Sequence, residues 1–302
     1  MQVGSYSKMK KNRTIFYIAV VTLPFLWSLI SFVFVNGQTL FFWFQKYDLE
    51  TGTYIFNGIE NFKFVLEDMM QEVWMSTAIR NGIVGSLITF LFSQVGLLAS
   101  YYVYKKYPTH GFFKVFLYYP QIVSFTVYCV IFKYFADQAY PTIMQSIFGK
   151  QVDGLFVNPN TQFPALIAFS VFMGLGGGVL VNTSIMANTS NDIIEAAQLD
   201  GANALQEFWH ITIPAMYPTL VLSLMTMFTG VFTNQFGVFT FFGNFAGTNM
   251  YTINYYMYKQ IVSARPEQYP IVATMGAIIT LIVVPLTFIT RHFLIKFGPK
   301  ED

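Results

Sequence analysis

Six stretches of this sequence run free of charged side chains: 15–35, 82–104, 115–132, 163–187, 215–242 and 269–290. A helix needs about 20 such residues to cross the hydrocarbon of a bilayer; the third stretch, the shortest, reaches that length by borrowing a residue or two at its ends. All six exceed the strands of a membrane barrel and none alternates with period two, so helices are expected. Apolar residues make up 54% of the chain and charged ones 11%, whereas a water-facing surface takes about a quarter to a third of its positions as charge. Most of the outer surface must therefore face something other than water. The expectation is an all-α membrane protein, one domain of six transmembrane helices over residues 1–302, set in a lipid bilayer.

Lys and Arg gather at the cytoplasmic ends of spans, which gives an orientation. With the N-terminus inside, the inner segments hold Lys8, Lys10, Lys11, Arg13, Lys105, Lys106, Lys114, Arg291, Lys296 and Lys300, ten of the 17 basic residues. The first outer loop is acidic, with Asp48, Glu50, Glu60, Glu67, Asp68 and Glu72. Both termini are expected in the cytoplasm, and the multi-pass chain in the cell membrane, inner or plasma. The basic cluster before the first stretch is like that of a secretory leader. That apolar run is too long for a leader, however, and no small-x-small cleavage site follows, so it reads as an uncleaved anchor.

Side chains for bond chemistry are scarce. The single cysteine, Cys129, lies in an apolar run and reads as a buried hydrophobe. His110, His210 and His292 fall in or beside the inner loops without clustered carboxylates, so neither a metal site nor catalytic residues are expected. No Asp, Glu, Lys or Arg lies within a span and no internal repeat is visible, which argues against an ion-coupled secondary carrier. A net charge of +2 leaves no footprint for nucleic acid.

Residues 188–214 lack Lys and Arg, although six spans place them on the cytoplasmic side. Asp192 followed by Glu195 reads as a capping box, so a helix is expected to begin there. Ile193, Ala197 and Leu199 would line its apolar side, and Gly201 would allow a sharp turn. A second short helix would follow with Leu205, Phe208 and Trp209 on one face, ended by Pro214. A helix resting in the lipid interface presents Lys and Arg. This one presents Asp200 and Glu207, which points to a protein partner.

The run Glu195-Ala196-Ala197, Gly201, Ile211 and Ile213-Pro214 resembles the Glu-Ala-Ala-x3-Gly-x9-Ile-x-Leu-Pro signature of permease subunits in binding-protein-dependent ABC importers, departing from it only at Ile213. Asp200-Gly201-Ala202, Phe208 ahead of Ile-Thr-Ile-Pro, and six spans in about 300 residues are similar to the carbohydrate-uptake branch, the maltose-type inner-membrane permeases. The resemblance covers residues 61–294. It implies the type I importer permease fold, in which 188–214 is a cytoplasmic helix-turn-helix coupling loop and Glu195, Ala196, Ala197, Asp200, Gly201, Ile211 and Pro214 contact an ATPase. It further implies a second homologous permease subunit, two cytoplasmic ATPase subunits that hold ATP and Mg, and an extracytoplasmic solute-binding protein. The implied substrate is a carbohydrate, an oligosaccharide, with no cofactor on this chain. Two departures from the branch are Phe242-Gly243-Asn244-Phe245-Ala246-Gly247, where a Gly-Gly-Pro is common, and glycines in place of a Trp in the fourth stretch. The alternatives are a permease for a different solute and a stand-alone carrier.

Polar side chains inside spans cost energy unless paired or wetted, so they mark the interior. Asn81, Ser93, Gln94, Gln121, Ser124, Thr126, Asn182, Thr183, Asn234 and Gln235 are the candidates. Tyr118 and Tyr119 flank Gln121, and Phe232, Phe236 and Phe239 surround Asn234 and Gln235; amide plus aromatic face is a surface that matches a sugar. The expected pathway residues are Asn234, Gln235, Phe236, Gln121, Tyr118 and Asn182, although amides serve equally as interhelical glue. Gly174, Gly176, Gly177 and Gly178 read as a close-packing site, or as a broken helix beside the pathway.

Overall fold

The chain is helical almost throughout in a computed structural model that describes residues 2–299, with the backbone alone for residues 2–12 and 191. The side chains of Lys8, Lys10 and Lys11, and all of Lys300, lie outside the described residues. Two compact units form, one joining the chain up to Asp68 with Ser263–Ile278, the other joining Met69–Val262 with the chain from Ile279.

In the first unit, helix α1 (Gln2–Phe42) carries the first apolar stretch. Among its described side chains the large apolar ones of residues 15–41 stay exposed on every side, which surroundings of hydrocarbon or of other apolar helices make favourable. A hairpin follows, β1 (Gln45–Asp48) and β2 (Thr53–Phe56), with Gln45 opposite Phe56 and Asp48 opposite Thr53. The helical expectation missed it because four-residue strands are too short to display alternation. Asp48 closes its turn by accepting from the Thr51 hydroxyl at 2.6 Å and the Glu50 amide at 3.3 Å, bonds that hold its carboxyl below the ordinary value. Asn61, at the start of α2 (Glu60–Gln71), is buried and reaches the Gln45 carbonyl at 2.7 Å and those of Phe42 and Trp43 at 3.2 Å. That amide staples α2 to the hairpin.

The second unit is built on α3 (Val73–Tyr104). After it come α4 (His110–Ile122), α5 (Phe125–Tyr134), α6 (Tyr140–Phe148), α7 (Pro159–Leu175) and α8 (Val179–Met186). Three short helices, α9 (Asn191–Leu199), α10 (Ala204–Glu207) and α11 (Ile213–Ala215), lead to α12 (Tyr217–Thr233), α13 (Val238–Phe242) and α14 (Ile253–Ser263). The last helix, α15 (Tyr269–Phe297), begins in the first unit and ends in the second. Helix α3 packs on α7, α8 and α12. The core is aromatic, with Phe169 and Phe241 edge to face at 5.0 Å and Phe156 and Phe241 at 5.1 Å. Cys129 is buried in it.

Among the described residues four helices are long and apolar enough to cross a bilayer, and six if each of two bent pairs makes one crossing. Those bends fall in the third and fifth stretches. The third turns through 98° between α4 and α5, where Val123 is extended and Pro120 withholds one amide from the last turn of α4. The fifth bends by 72° at Met216 and stops at Thr233. There the Asn234 side chain accepts from the Phe236 amide at 2.8 Å, and Phe236 (φ 50) and Gly237 (φ 78) swing the chain round before α13. The fourth is interrupted over 176–178, and a Cβ on Gly176 would overlap the carbonyl oxygen of Leu117. The glycine cluster is thus both a close contact and a break.

Candidate functional site

Segment 188–214 folds as short helices joined by a tight turn, and its cap differs from the expected one. Ser190, not Asp192, caps α9, its hydroxyl accepting from the Asp192 amide at 3.3 Å. Asp192 sits in the first turn instead, where its charge complements the helix dipole. At the other end, the Ala202 amide donates to the Ala197 carbonyl at 2.9 Å across Gly201, whose φ of +83 is the left-handed cap that favours glycine. A reciprocal box starts α10: Asn203 accepts from the Gln206 amide at 2.9 Å, and Gln206 accepts from the Asn203 amide at 2.8 Å. Pro214 does not end this run. It lies within a helical run that continues from α10 through a π-turn at Phe208–Thr212 to Ala215, and the bend comes two residues later, at Met216.

Burial divides the segment into faces, and not those the apolar spacing suggests. Glu195, Ala196, Asp200, Gly201 and Pro214 are exposed, and Ala197 and Ile211 half-buried. Ala197, Asp200, Gly201 and Ile211 share an open concavity of about 390 Å³ with Ala202 and His210. Of the residues expected on the apolar side of α9, Ile193 and Leu199 are exposed; Ile194 is the buried one. Phe208 is buried while Leu205 and Trp209 are exposed. An ordered loop that leaves Ile193, Leu199, Leu205 and Trp209 uncovered offers apolar contact surface.

Glu207, expected on that surface, is only 3% exposed. Its carboxylate accepts from Lys105 Nζ at 2.8 and 2.9 Å and from Gln198 Nε2 at 3.4 Å. One turn earlier on α3, the Tyr101 hydroxyl donates to the Ala204 carbonyl at 3.0 Å, and its ring meets Phe208 at 4.9 Å. Sequence reasoning counted Lys105 among the basic residues of the inner segments and missed this attachment, because its partner lies 102 residues away.

A cavity of about 590 Å³ runs between α3 and α12. It is lined by Ser86, Thr89, Phe90 and Ser93 on one side, by Thr219, Leu222, Ser223, Thr226, Met227 and Thr233 on the other, by Asn234 and Gln235 just after α12, and by Asn254 of α14. Several hydroxyl protons are spent within their own helices: Thr89 donates to the Gly85 carbonyl, Ser93 to Phe90, Thr226 to Leu222 and Thr233 to Thr229, at 2.6–3.1 Å. Their lone pairs remain as acceptors. Ser86 Oγ and Gln235 Oε1 are buried without a hydrogen-bond partner. A second cavity of about 320 Å³ shares Ser93, Thr219 and Ser223 and adds Gln94, Asn182 and the glycine break. Among the described residues no charged side chain lines either.

Of the six expected pathway residues, Asn234 and Gln235 line the first cavity and Asn182 the second. Gln121 donates instead to the Met173 carbonyl at 2.6 Å, and half-buried Tyr118 is in neither lining. Phe236 belongs to the core, edge-on to Phe163 at 6.1 Å. Asn81, also a polar candidate, is a buried staple to the carbonyls of Asn249 and Tyr251. Ser93 was among the polar candidates, but the hydroxyls at 86 and 89 beside it and at 219, 223, 226 and 233 were overlooked, although steps of three, four and seven mark one helix face.

Residues 95–296, well over half of the chain, match the family described as binding-protein-dependent transport system inner membrane component. The chain belongs to this family. The permease is accordingly a multi-pass membrane transport component. It is 29% identical over 241 residues to the osmoprotective compounds uptake permease protein GgtC of Synechocystis, covering 76% of this chain and 83% of that protein. With the multiple sugar-binding transport system permease protein MsmF of Streptococcus mutans it shares 20% identity over 278 residues, 91% of this chain and 93% of the other. A 28% identical match to the probable ABC transporter permease protein MG188 of Mycoplasma genitalium spans 54% of the permease but only about half, 51%, of that protein. Among solved structures, a chain of a bacterial ABC transporter involved in the import of the acidic polysaccharide alginate superposes with a TM-score of 0.75 at 16% identity, covering 95% of the permease and 99% of that chain. The permease has that fold.

Proposed function

We propose that the permease is one membrane-spanning half of an ATP-driven importer that brings a carbohydrate, an oligosaccharide, into the cell. Segment 188–214 faces the cytoplasm, as do both termini, and docks on one of two ATPase subunits through Glu195, Ala196, Ala197, Asp200, Gly201, Ile211 and Pro214. ATP and Mg reside on those subunits; this chain has no catalytic residue or cofactor of its own. A second, homologous permease completes the passage, and an extracytoplasmic binding protein delivers the solute. The observation that carries this reading is the exposed signature: Glu195, Ala196 and Gly201 stand uncovered on a loop whose two helix starts are capped by Ser190 and Asn203, inside a chain of a family defined by dependence on binding proteins.

The solute assignment is supported by the cavity between α3 and α12. Among the described residues its lining carries no charge and sets the hydroxyls of Thr89, Ser93 and Thr226 beside Phe90, Leu222 and Met227, a mixture of acceptors and apolar faces that suits a neutral polyol. Relatives named for multiple sugars and for arabinooligosaccharides fit the same class. One named for osmoprotective compounds favours a smaller neutral solute as the second reading.

The test is recovery of the permease from native membranes with its bound neighbours, followed by ATP-dependent uptake of labelled oligosaccharides and an osmolyte in proteoliposomes. An ATPase and a second permease should co-purify, and a labelled oligosaccharide should accumulate. Recovery of the chain with no ATPase would overturn the importer reading. Uptake of the osmolyte alone would overturn only the carbohydrate assignment.

A further inference from the structure

The Glu207 carboxylate is a node between three elements. It belongs to α10, takes two bonds from Lys105 at the end of α3, and takes a third from Gln198 on α9, the helix that bears Glu195 and Ala196. Tyr101, one helical turn before Lys105 on the same face of α3, holds Ala204 at 3.0 Å and packs edge-on against Phe208. Two attachments a turn apart fix the angle of the loop against α3 as well as its position; a single hydrogen bond would let it pivot. The same helix then supplies Ser86, Thr89 and Ser93 to the wall of the cavity between α3 and α12. Ser93 lies 12 residues before Lys105, about 18 Å along an unbroken helix.

We propose that Lys105, Glu207 and Tyr101 are positioning residues that bolt the loop 188–214 to α3, so that a displacement of the loop moves the cavity wall around Ser93 as one rigid body. This rests on the reading of 188–214 as the ATPase-docking loop. An ordinary boundary lysine would reach for lipid phosphate and leave its charge in the interface. Lys105 does otherwise: its side chain is 18% exposed and its charge is matched by a carboxylate 3% exposed. A bond made solely to hold the loop in shape would join α9 to α10, as Gln198 does. Lys105 and Tyr101 join the loop to the helix that lines the cavity.

The experiment uses the permease assembled with its co-purifying subunits, carrying Cys129→Ala to remove the native thiol and Ser93→Cys as a reporter. N-ethylmaleimide labelling of that cysteine is compared without nucleotide and after trapping with ATP and vanadate. With the attachment intact, the labelling rate should change by about five-fold or more between the two states. In Lys105→Met/Glu207→Gln, which removes both charges together and retains most of the side-chain volume, the change should fall below about two-fold while ATP hydrolysis continues. Lys105→Arg, which keeps the charge, should retain the response. Should the double variant fail to accumulate, Tyr101→Phe decides, since it deletes one oxygen and keeps the ring on Phe208; a reduced response supports the attachment, and an unchanged one overturns it. A full response in the double variant overturns the proposal and leaves the docking loop intact. An unmutated chain that brings down no ATPase overturns the importer reading, and the bolt with it.

Discussion

The α-carbon of Gly176 rests against the carbonyl oxygen of Leu117, leaving no room for a side chain between the break in the α7–α8 pair and helix α4. The contact is with backbone, which cannot rotate aside, so overpacking should cost at the upper end of the usual ~1–3 kcal/mol. Gly176→Ala is expected to lower both membrane abundance and the unfolding temperature in detergent. Gly174→Ala is the control, since nothing lies within 4 Å of a Cβ there. It should be tolerated. Equal behaviour of the two variants would mean that close approach is not what Gly176 provides.

Gly201 is constrained by conformation rather than by space. Its φ is +83 and a Cβ would meet nothing within 4 Å, so a side chain costs only the strain of left-handed backbone, about 1–2 kcal/mol. Gly201→Val should therefore insert at near-normal abundance while reshaping the turn between α9 and α10. Attachment of the ATPase is expected to fall by about ten-fold or more, and transport to be lost. Gly201→Asn, which tolerates this region better, should retain more of both. Normal uptake by the Val variant would count against docking through this turn.

Asn81 separates a structural amide from a pathway amide. Its Nδ2 donates to the Asn249 carbonyl at 2.8 Å and the Tyr251 carbonyl at 2.9 Å, at 2% exposure. Asn81→Leu would strip donors from two carbonyls, at about 1–3 kcal/mol for each group left buried and unsatisfied. Abundance should drop, and uptake only in proportion, with KM for the solute unchanged. A raised KM at normal abundance would return Asn81 to the pathway.

The helical membrane fold was readable because it rests on uncharged runs, which no tertiary contact can alter. The loop signature was readable for a related reason: Glu195, Ala196 and Gly201 are spaced along one local segment. Long-range pairing was hidden. Nothing near Lys105 in sequence identifies Glu207 as its partner, and Phe236 looked like its neighbours until the turn at Asn234 carried it into the core. The faces of α9 were misjudged because Ile193 and Ile194 compete for the buried side, and only packing chooses between them.

Ser86 and Gln235 give the sharpest test of the cavity, because stability and function should move in opposite directions. Each places a buried oxygen in the lining without a donor, and an unsatisfied buried group costs a fold about 1–3 kcal/mol. Ser86→Ala and Gln235→Met remove that cost, so detergent unfolding temperatures should stay level or rise. If those oxygens receive O–H donors from the solute, each variant forfeits a hydrogen bond of about 0.5–1.5 kcal/mol. KM for the transported solute should then rise about two- to ten-fold. A variant that is stabilised and transports with unchanged KM would show that the two oxygens only border the cavity. A destabilised variant would show that each already has a partner within the fold.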